Sequence, residues 1–189
     1  MLLIKNNKIE EKCYSSLVIF LFNCCDVVTF NLPKFSEKRI TEKNRKYFPN
    51  QKLGIFPHAE DEEFNNYKQK IEKLITPINH RIIRCYDDVE YCGSIRGYNA
   101  EIYNVSFLAD TIGFFMQAIS LYNWLYPNLP EDLSFYKKGK CFLRSIAHEK
   151  RCWIFTDDEF DKIILKKIGL KFTELPDGEI PTLNYTIEY

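Results

Sequence analysis

Taken whole, this chain carries no surplus of either charge. Its 189 residues hold 26 Lys+Arg against 26 Asp+Glu, whereas a nucleic-acid binder is expected to show a basic excess or stripe, because neutralising phosphates supplies most of its affinity. The nearest approach is Lys34, Lys38, Arg39, Lys43, Arg45 and Lys46, interleaved with Glu37 and Glu42. That pattern reads as a solvated loop face, so no nucleic acid is expected as a partner. A metal or redox frame of cysteines is missing too. Cys13, Cys24, Cys25, Cys85, Cys92, Cys141 and Cys152 make an odd count, with no C-x-x-C and no structural-zinc spacing. Reduced, mostly buried thiols and a cytoplasmic location are expected, with no metal and no cofactor. The early apolar run LVIFLF, residues 17–22, follows Glu10 and Glu11 and precedes no small-residue cleavage site, so neither a signal peptide nor a membrane span is expected. Finally, there is no phosphate-binding glycine loop, no G-x-S-x-G and no H-E-x-x-H, which weighs against an enzyme.

What is plentiful is aromatic: 15 Phe, 12 Tyr and 2 Trp. Such a content builds a thick core or an aromatic interface. The length suits one domain, 1–189, and the chain shows no repeat or low-complexity linker. Residues 15–22 and 27–32 are rich in β-branched and aromatic side chains and predict an N-terminal hairpin turning at 23–26. Residues 34–57 read as a surface loop. Residues 59–75 form an amphipathic helix with Phe64, Tyr67, Ile71, Leu74 and Ile75 on one stripe, ended by Pro77. Strands are expected at 81–86, 89–95 and 100–103. Residues 105–126, apolar almost all round, read as one long buried helix; Asp110, Gln117 and Asn123 oppose a membrane setting for it. A meander over 133–136, 141–147 and 150–155 follows, turning at 137–140. A last amphipathic helix spans 157–168, with Thr156 and Glu159 as a capping box, Phe160, Ile163, Ile164 and Ile168 as its apolar stripe, and Gly169 after its end. Strand-like 170–175 and 183–189 flank a turn at 176–178. Strands arriving in hairpins predict an α+β fold, a mostly antiparallel sheet packed against the long helix.

His148–Glu149 is the most chemically suggestive pair. On a regular strand over 141–148, Phe142, Arg144, Ile146 and His148 share one face, while Cys141, Leu143, Ser145 and Ala147 share the other. Neighbouring His and Glu then diverge, and a hairpin corner is the expected setting. The catalytic alternative is a small hydrolase-like enzyme with His148 as acid or base, assisted by Glu149 or Cys141. The acidic run Asp157, Asp158, Glu159 and Asp161 is explained by the helix start and not by a calcium loop.

The segment 124–155 carries Leu129-Pro130-Glu131-Asp132-Leu133, Phe135, Gly139-Lys140-Cys141 and Ala147-His148-Glu149. It resembles a pattern in short uncharacterised proteins of low-GC Gram-positive bacteria and their mobile elements, with Phe142 where that pattern has tryptophan. The resemblance covers about a sixth of the chain and implies no established activity. The functional expectation is a cytosolic, non-catalytic protein-binding module, of the kind that an immunity-type or mobile-element-encoded inhibitor represents. Interface candidates are Tyr86, Tyr91, Tyr98, Tyr103 and Trp153, with Arg84, Arg96 and Arg144 beside them. The expected partner is another protein, with a second copy of the chain as the other candidate.

Overall fold

The computed structural model describes residues 1–6, 9, 11–34, 38–40, 54–56, 62–88 and 99–176. Ten strands and four α-helices follow in the order β1 (Leu2–Ile4), α1 (Glu11–Cys24), β2 (Val27–Lys34), β3 (Lys38–Ile40), β4 (Gly54–Phe56), α2 (Glu62–Ile75), β5 (Ile82–Asp88), β6 (Asn99–Ser106), α3 (Ile112–Phe115), β7 (Glu131–Lys137), β8 (Lys140–Ile146), β9 (Arg151–Ile154), α4 (Glu159–Lys167) and β10 (Phe172–Glu174). Eight strands form one sheet in the order β10-β1-β9-β8-β7-β2-β6-β5, while β3 and β4 pair apart. Every pairing among the described residues is antiparallel. The fold is α+β, as the hairpin pattern of the sequence predicts. The expected strands at 89–95 and 183–189, the 176–178 turn and the candidates Tyr91, Arg96 and Tyr98 lie, wholly or in part, outside the described residues.

The core begins as a row across the sheet. Val105, Val28, Phe135, Leu143, Ile154 and Leu2 are successive cross-strand partners, and all are fully buried. Onto this face pack Tyr14, Leu17, Val18 and Leu21 of α1, Tyr67, Ile71 and Ile75 of α2, Phe114 and Phe115 of α3 and Leu165 of α4. Spacing of three and four along α1 explains why residues 15–22 are helical and not a strand. The β-branched content of that run gives way to the gain from burying a whole stripe, since tertiary packing overrides a weak β propensity. No N-terminal hairpin forms, and β2 pairs instead with β6 and β7.

The long helix expected at 105–126 is absent. β6 runs on to Ser106, short 3-10 turns form at Ala109–Thr111 and Leu121–Asn123, and α3 is a single turn. Polar side chains stop the helix from propagating. The Thr111 hydroxyl accepts from Leu108 N at 3.0 Å and donates to Leu108 O at 2.8 Å, and Ser120 Oγ accepts from Tyr122 N. The backbone then bonds outward, Leu121 N to Ile9 O at 3.2 Å. The segment is apolar almost all round, with Leu108 and Ile119 left 45% and 70% exposed, so periodicity alone could not separate it from a buried helix. Its Phe107, Phe114, Phe115, Leu121 and Trp124 take the place of the helix in the core.

α4 also departs from expectation. Asp158, not Thr156, is the N-cap, its Oδ1 accepting from Phe160 N at 2.8 Å. Thr156 Oγ1 instead donates to Asp161 Oδ2 at 2.7 Å and accepts from Asp158 N. The side of α4 turned inward carries Asp161, Lys162 and Leu165, while Phe160 and Ile163 stand 67% and 49% exposed. Lys162 tolerates this because its stem is covered and its Nζ reaches Glu159 at 2.8 Å and Glu174 of β10 at 2.9 Å. Gly169 follows the helix at φ 97°, in the left-handed region that a C′ glycine supplies.

The β7–β8 hairpin turns on Lys138 and Gly139, both with positive φ, as a tight two-residue turn requires. At the far end of β7, Asp132 sits at φ 53° and its Oδ1 accepts from the Ala147 N–H at 2.7 Å, inside the fold. Asp132→Ala is expected to lower the unfolding free energy by about 2 kcal/mol, because a buried N–H loses its acceptor. A urea titration of the variant checks this. No helix among the described residues is long and apolar enough to cross a membrane.

Candidate functional site

The second face of the sheet differs from the first. Cross-strand partners give the row Arg84 (β5), Asn104 (β6), Thr29 (β2), Ser134 (β7), Arg144 (β8) and Trp153 (β9). Its middle is buried although polar: Thr29, Asn104 and Ser134 are each at most 6% exposed. The two arginines stand nearer solvent, Arg84 exposed and Arg144 half-buried. At about 4.8 Å between strands, four steps separate them by about 19 Å. Next to this row lies a small apolar cluster of Val27, Tyr136 and Cys141, with Phe155 against it.

A bulge in β8 places Cys141 here. Tyr136 pairs with Cys141 but Phe135 with Leu143, so the register shifts between them. Phe142 is the extra residue and turns into the core, where its ring lies 6.0 Å from that of Phe20. The regular alternation expected for β8 is thereby broken. Cys141 and Arg144 share the second face, whereas the unbroken strand would have set them on opposite ones.

The electrostatics follow from that arrangement. Burial pushes the Tyr136 phenol up to about 12; Arg144 and a hydrogen bond with Thr29 pull it back. Burial likewise pushes the Cys141 thiol up to about 12, again opposed by Arg144. The thiol stays protonated at neutral pH and is not a nucleophile. Among the described residues no carboxylate pairs with Arg144 or with Arg84; the Arg84 guanidinium lies 4.8 Å from the centre of the Tyr86 ring. Asn104 Oδ1 is a buried acceptor with no donor among the described residues, a cost that folds seldom retain.

The other candidates separate. Tyr86 is half-buried on the Arg84 side, opposite Ile102. Tyr103 points to the core face, stacked 5.3 Å from Phe30, and its hydroxyl donates to Glu101 Oε2 at 3.2 Å. Trp153 flanks Arg144 but is only 7% exposed. Tyr103 and Trp153 are therefore packing residues. His148 and Glu149 occupy the β8–β9 turn, with 3.8 Å between His148 Nε2 and Glu149 Oε1, too long for a hydrogen bond. Glu149 is held instead by Arg151 at 3.1 Å. Cys141 lies at the opposite end of β8, about 20 Å from the turn along an extended strand. No acid–base or thiol–imidazole pair is assembled from these three.

Sequence reasoning passes over Thr29, Asn104, Ser134 and Glu131. The first three are polar residues alternating with apolar ones along strands, a signal present in "VVTFNL", "EIYNVS" and "LSF". Glu131 faces Asn31 across β2 and β7. Burial pushes its carboxyl up to about 7, the Asp132 charge adding to the rise and a hydrogen bond from Tyr126 N opposing it. Among the described residues no group of three or more His, Cys, Asp and Glu could hold a metal ion. Comparison with protein-family models, with curated proteins and with solved structures finds no match to this chain.

Proposed function

We propose that the protein is a non-catalytic module that binds an acidic segment of another protein at Arg144, as an inhibitor of the immunity type would. The observation that carries this reading is Arg144. It is a half-buried guanidinium facing the Tyr136–Cys141 cluster, with no carboxylate partner among the described residues. A guanidinium held in place by packing and left unpaired is suited to a carboxylate brought from outside, which it can grip through two parallel hydrogen bonds. Arg84 and Tyr86 reach solvent separately, at the β5 edge, and Arg and Tyr are the side chains that most often anchor protein interfaces.

The test uses the full chain as bait in a lysate of its native host. The wild type is expected to retain one stoichiometric protein, and Arg144→Glu to retain at least about tenfold less, as a reversed charge at an interface centre implies. Lys150→Glu, in the exposed β8–β9 turn, is expected to behave as wild type. Equal capture by Arg144→Glu, or no stoichiometric partner at all, overturns the proposal.

A further inference from the structure

The geometry points to a second site at the end of α1: Cys24 and Cys25 form a vicinal dithiol suited to close on one trivalent organoarsenical. α1 ends at Cys24, and Cys25 continues its hydrogen bonding by one step, its N–H donating to Leu21 O at 2.7 Å. That last turn sets both sulfurs on the same side, 3.7 Å apart. A centre bonded to sulfur at about 2.3 Å, the zinc–thiolate length, sees two sulfurs at that spacing under an angle of about 107°. Such an angle suits a tetrahedral or pyramidal thiolate centre, so the two donors are placed before any ligand arrives.

The two thiols are not equivalent. Cys24 is half-buried, and Cys25 is 6% exposed and belongs to the apolar core. The hydrogen bond with Cys25 holds the Cys24 thiol below its usual value; burial opposes this, as does Asp161, while Lys137 of β7 helps. The same hydrogen bond, with burial, holds Cys25 far above its usual value. Cys24 is therefore the attacking sulfur and Cys25 the second to bond.

The choice of ligand follows from donor count and charge. A zinc-like ion asks for four donors, and among the described residues no cluster of three or more His, Cys, Asp and Glu is placed to supply them. Trivalent arsenic that already carries one organic group needs only two sulfurs. Its dithiolate adduct is neutral, as the burial of Cys25 favours. The dihydroxy-arsine reacts with both thiols: two S–As bonds form, two As–O bonds break, and the two thiol protons leave with the hydroxyls as two waters. No electrons change hands.

One equivalent of phenylarsine oxide added to the native full chain tests this, read by intact mass and by a count of free thiols. The wild type is expected to take up one phenylarsenic group and to lose two reactive thiols, and a small dithiol in excess is expected to reverse both changes. Cys85→Ser, at an exposed position, is expected to keep the adduct. Cys24→Ser and Cys25→Ser are each expected to abolish it. The half-buried Cys24 position tolerates serine better than the core does, so Cys24→Ser is the deciding variant. A wild type without the adduct, or a folded Cys24→Ser chain that retains it, overturns the assignment.

Discussion

Trp124→Ala is expected to lower the unfolding free energy by about 3–5 kcal/mol, the largest effect expected of any single substitution in this fold. Stabilities of whole domains are about 5–15 kcal/mol, so the variant should unfold at a much lower urea midpoint. Trp124 is fully buried, and its ring lies 5.4 Å from that of Phe114 and 5.7 Å from that of Phe115. Its indole N–H donates to Tyr14 Oη at 2.7 Å, and that hydroxyl donates to Phe115 O at 2.6 Å. Removing the ring leaves a cavity where α1, α3 and the sheet meet, and removes one link of the chain that ties α1 to the 107–126 segment. Tyr14→Phe separates the polar part of this effect. It keeps the ring but leaves the Trp124 N–H without an acceptor, at an expected cost of about 1–3 kcal/mol. The double variant Tyr14→Phe/Trp124→Phe is expected to cost less than the sum of the two single changes, because both break the same hydrogen bond.

Glu131→Gln is expected to alter the pH dependence of stability. The folded carboxyl titrates at about 7, above the 4.5 of an unperturbed glutamate. A group whose pKa is raised on folding contributes stability that is present below pH 4.5 and lost as pH rises through 7. Over that window the wild type is expected to lose about 3 kcal/mol. The glutamine side chain of the variant cannot ionise, so its stability should be nearly flat between pH 5 and 8, and at pH 8 it should be the more stable of the two proteins. Urea titrations of both proteins at pH 5, 6, 7 and 8 check this, and parallel curves would remove Glu131 as the source. The tight setting of the residue gives the reason. Glu131 faces Asn31, receives Tyr126 N–H and raises the neighbouring Tyr67 phenol, which burial already holds high.

How much of the fold is legible in the sequence depends on whether the pattern is local. α2 and the β7–β8–β9 meander follow their periodicity and turn residues closely: the 59–75 stripe places Tyr67, Ile71 and Ile75 against the core, and Lys138-Gly139 makes a tight turn. α1 is hidden because Val18, Ile19 and Phe20 favour strands taken one by one, and only the 14-17-18-21 spacing gives the helix away. The 105–126 segment mimics a helix because its few polar residues are swamped by apolar ones, two of which, Leu108 and Ile119, end up exposed. In α4, a lysine with two carboxylate partners takes a place inside that Phe160 and Ile163 were expected to fill. The candidate binding face is half legible. Arg84, Tyr86 and Arg144 stand out by residue type, but their common face depends on register across five strands and on the bulge at Phe142, neither of which is encoded locally.

Arg144 has a rival among the described residues in the outward side of α4, where Phe160 and Ile163 are exposed. The most direct test is the dissociation constant of the captured partner for three chains: wild type, Arg144→Glu and Phe160→Asp. Binding at Arg144 predicts at least about tenfold weaker binding for Arg144→Glu, an unchanged constant for Phe160→Asp, and a wild-type affinity that falls as salt is raised. Binding unaffected by Arg144→Glu but lost in Phe160→Asp would contradict it and move the interface to α4.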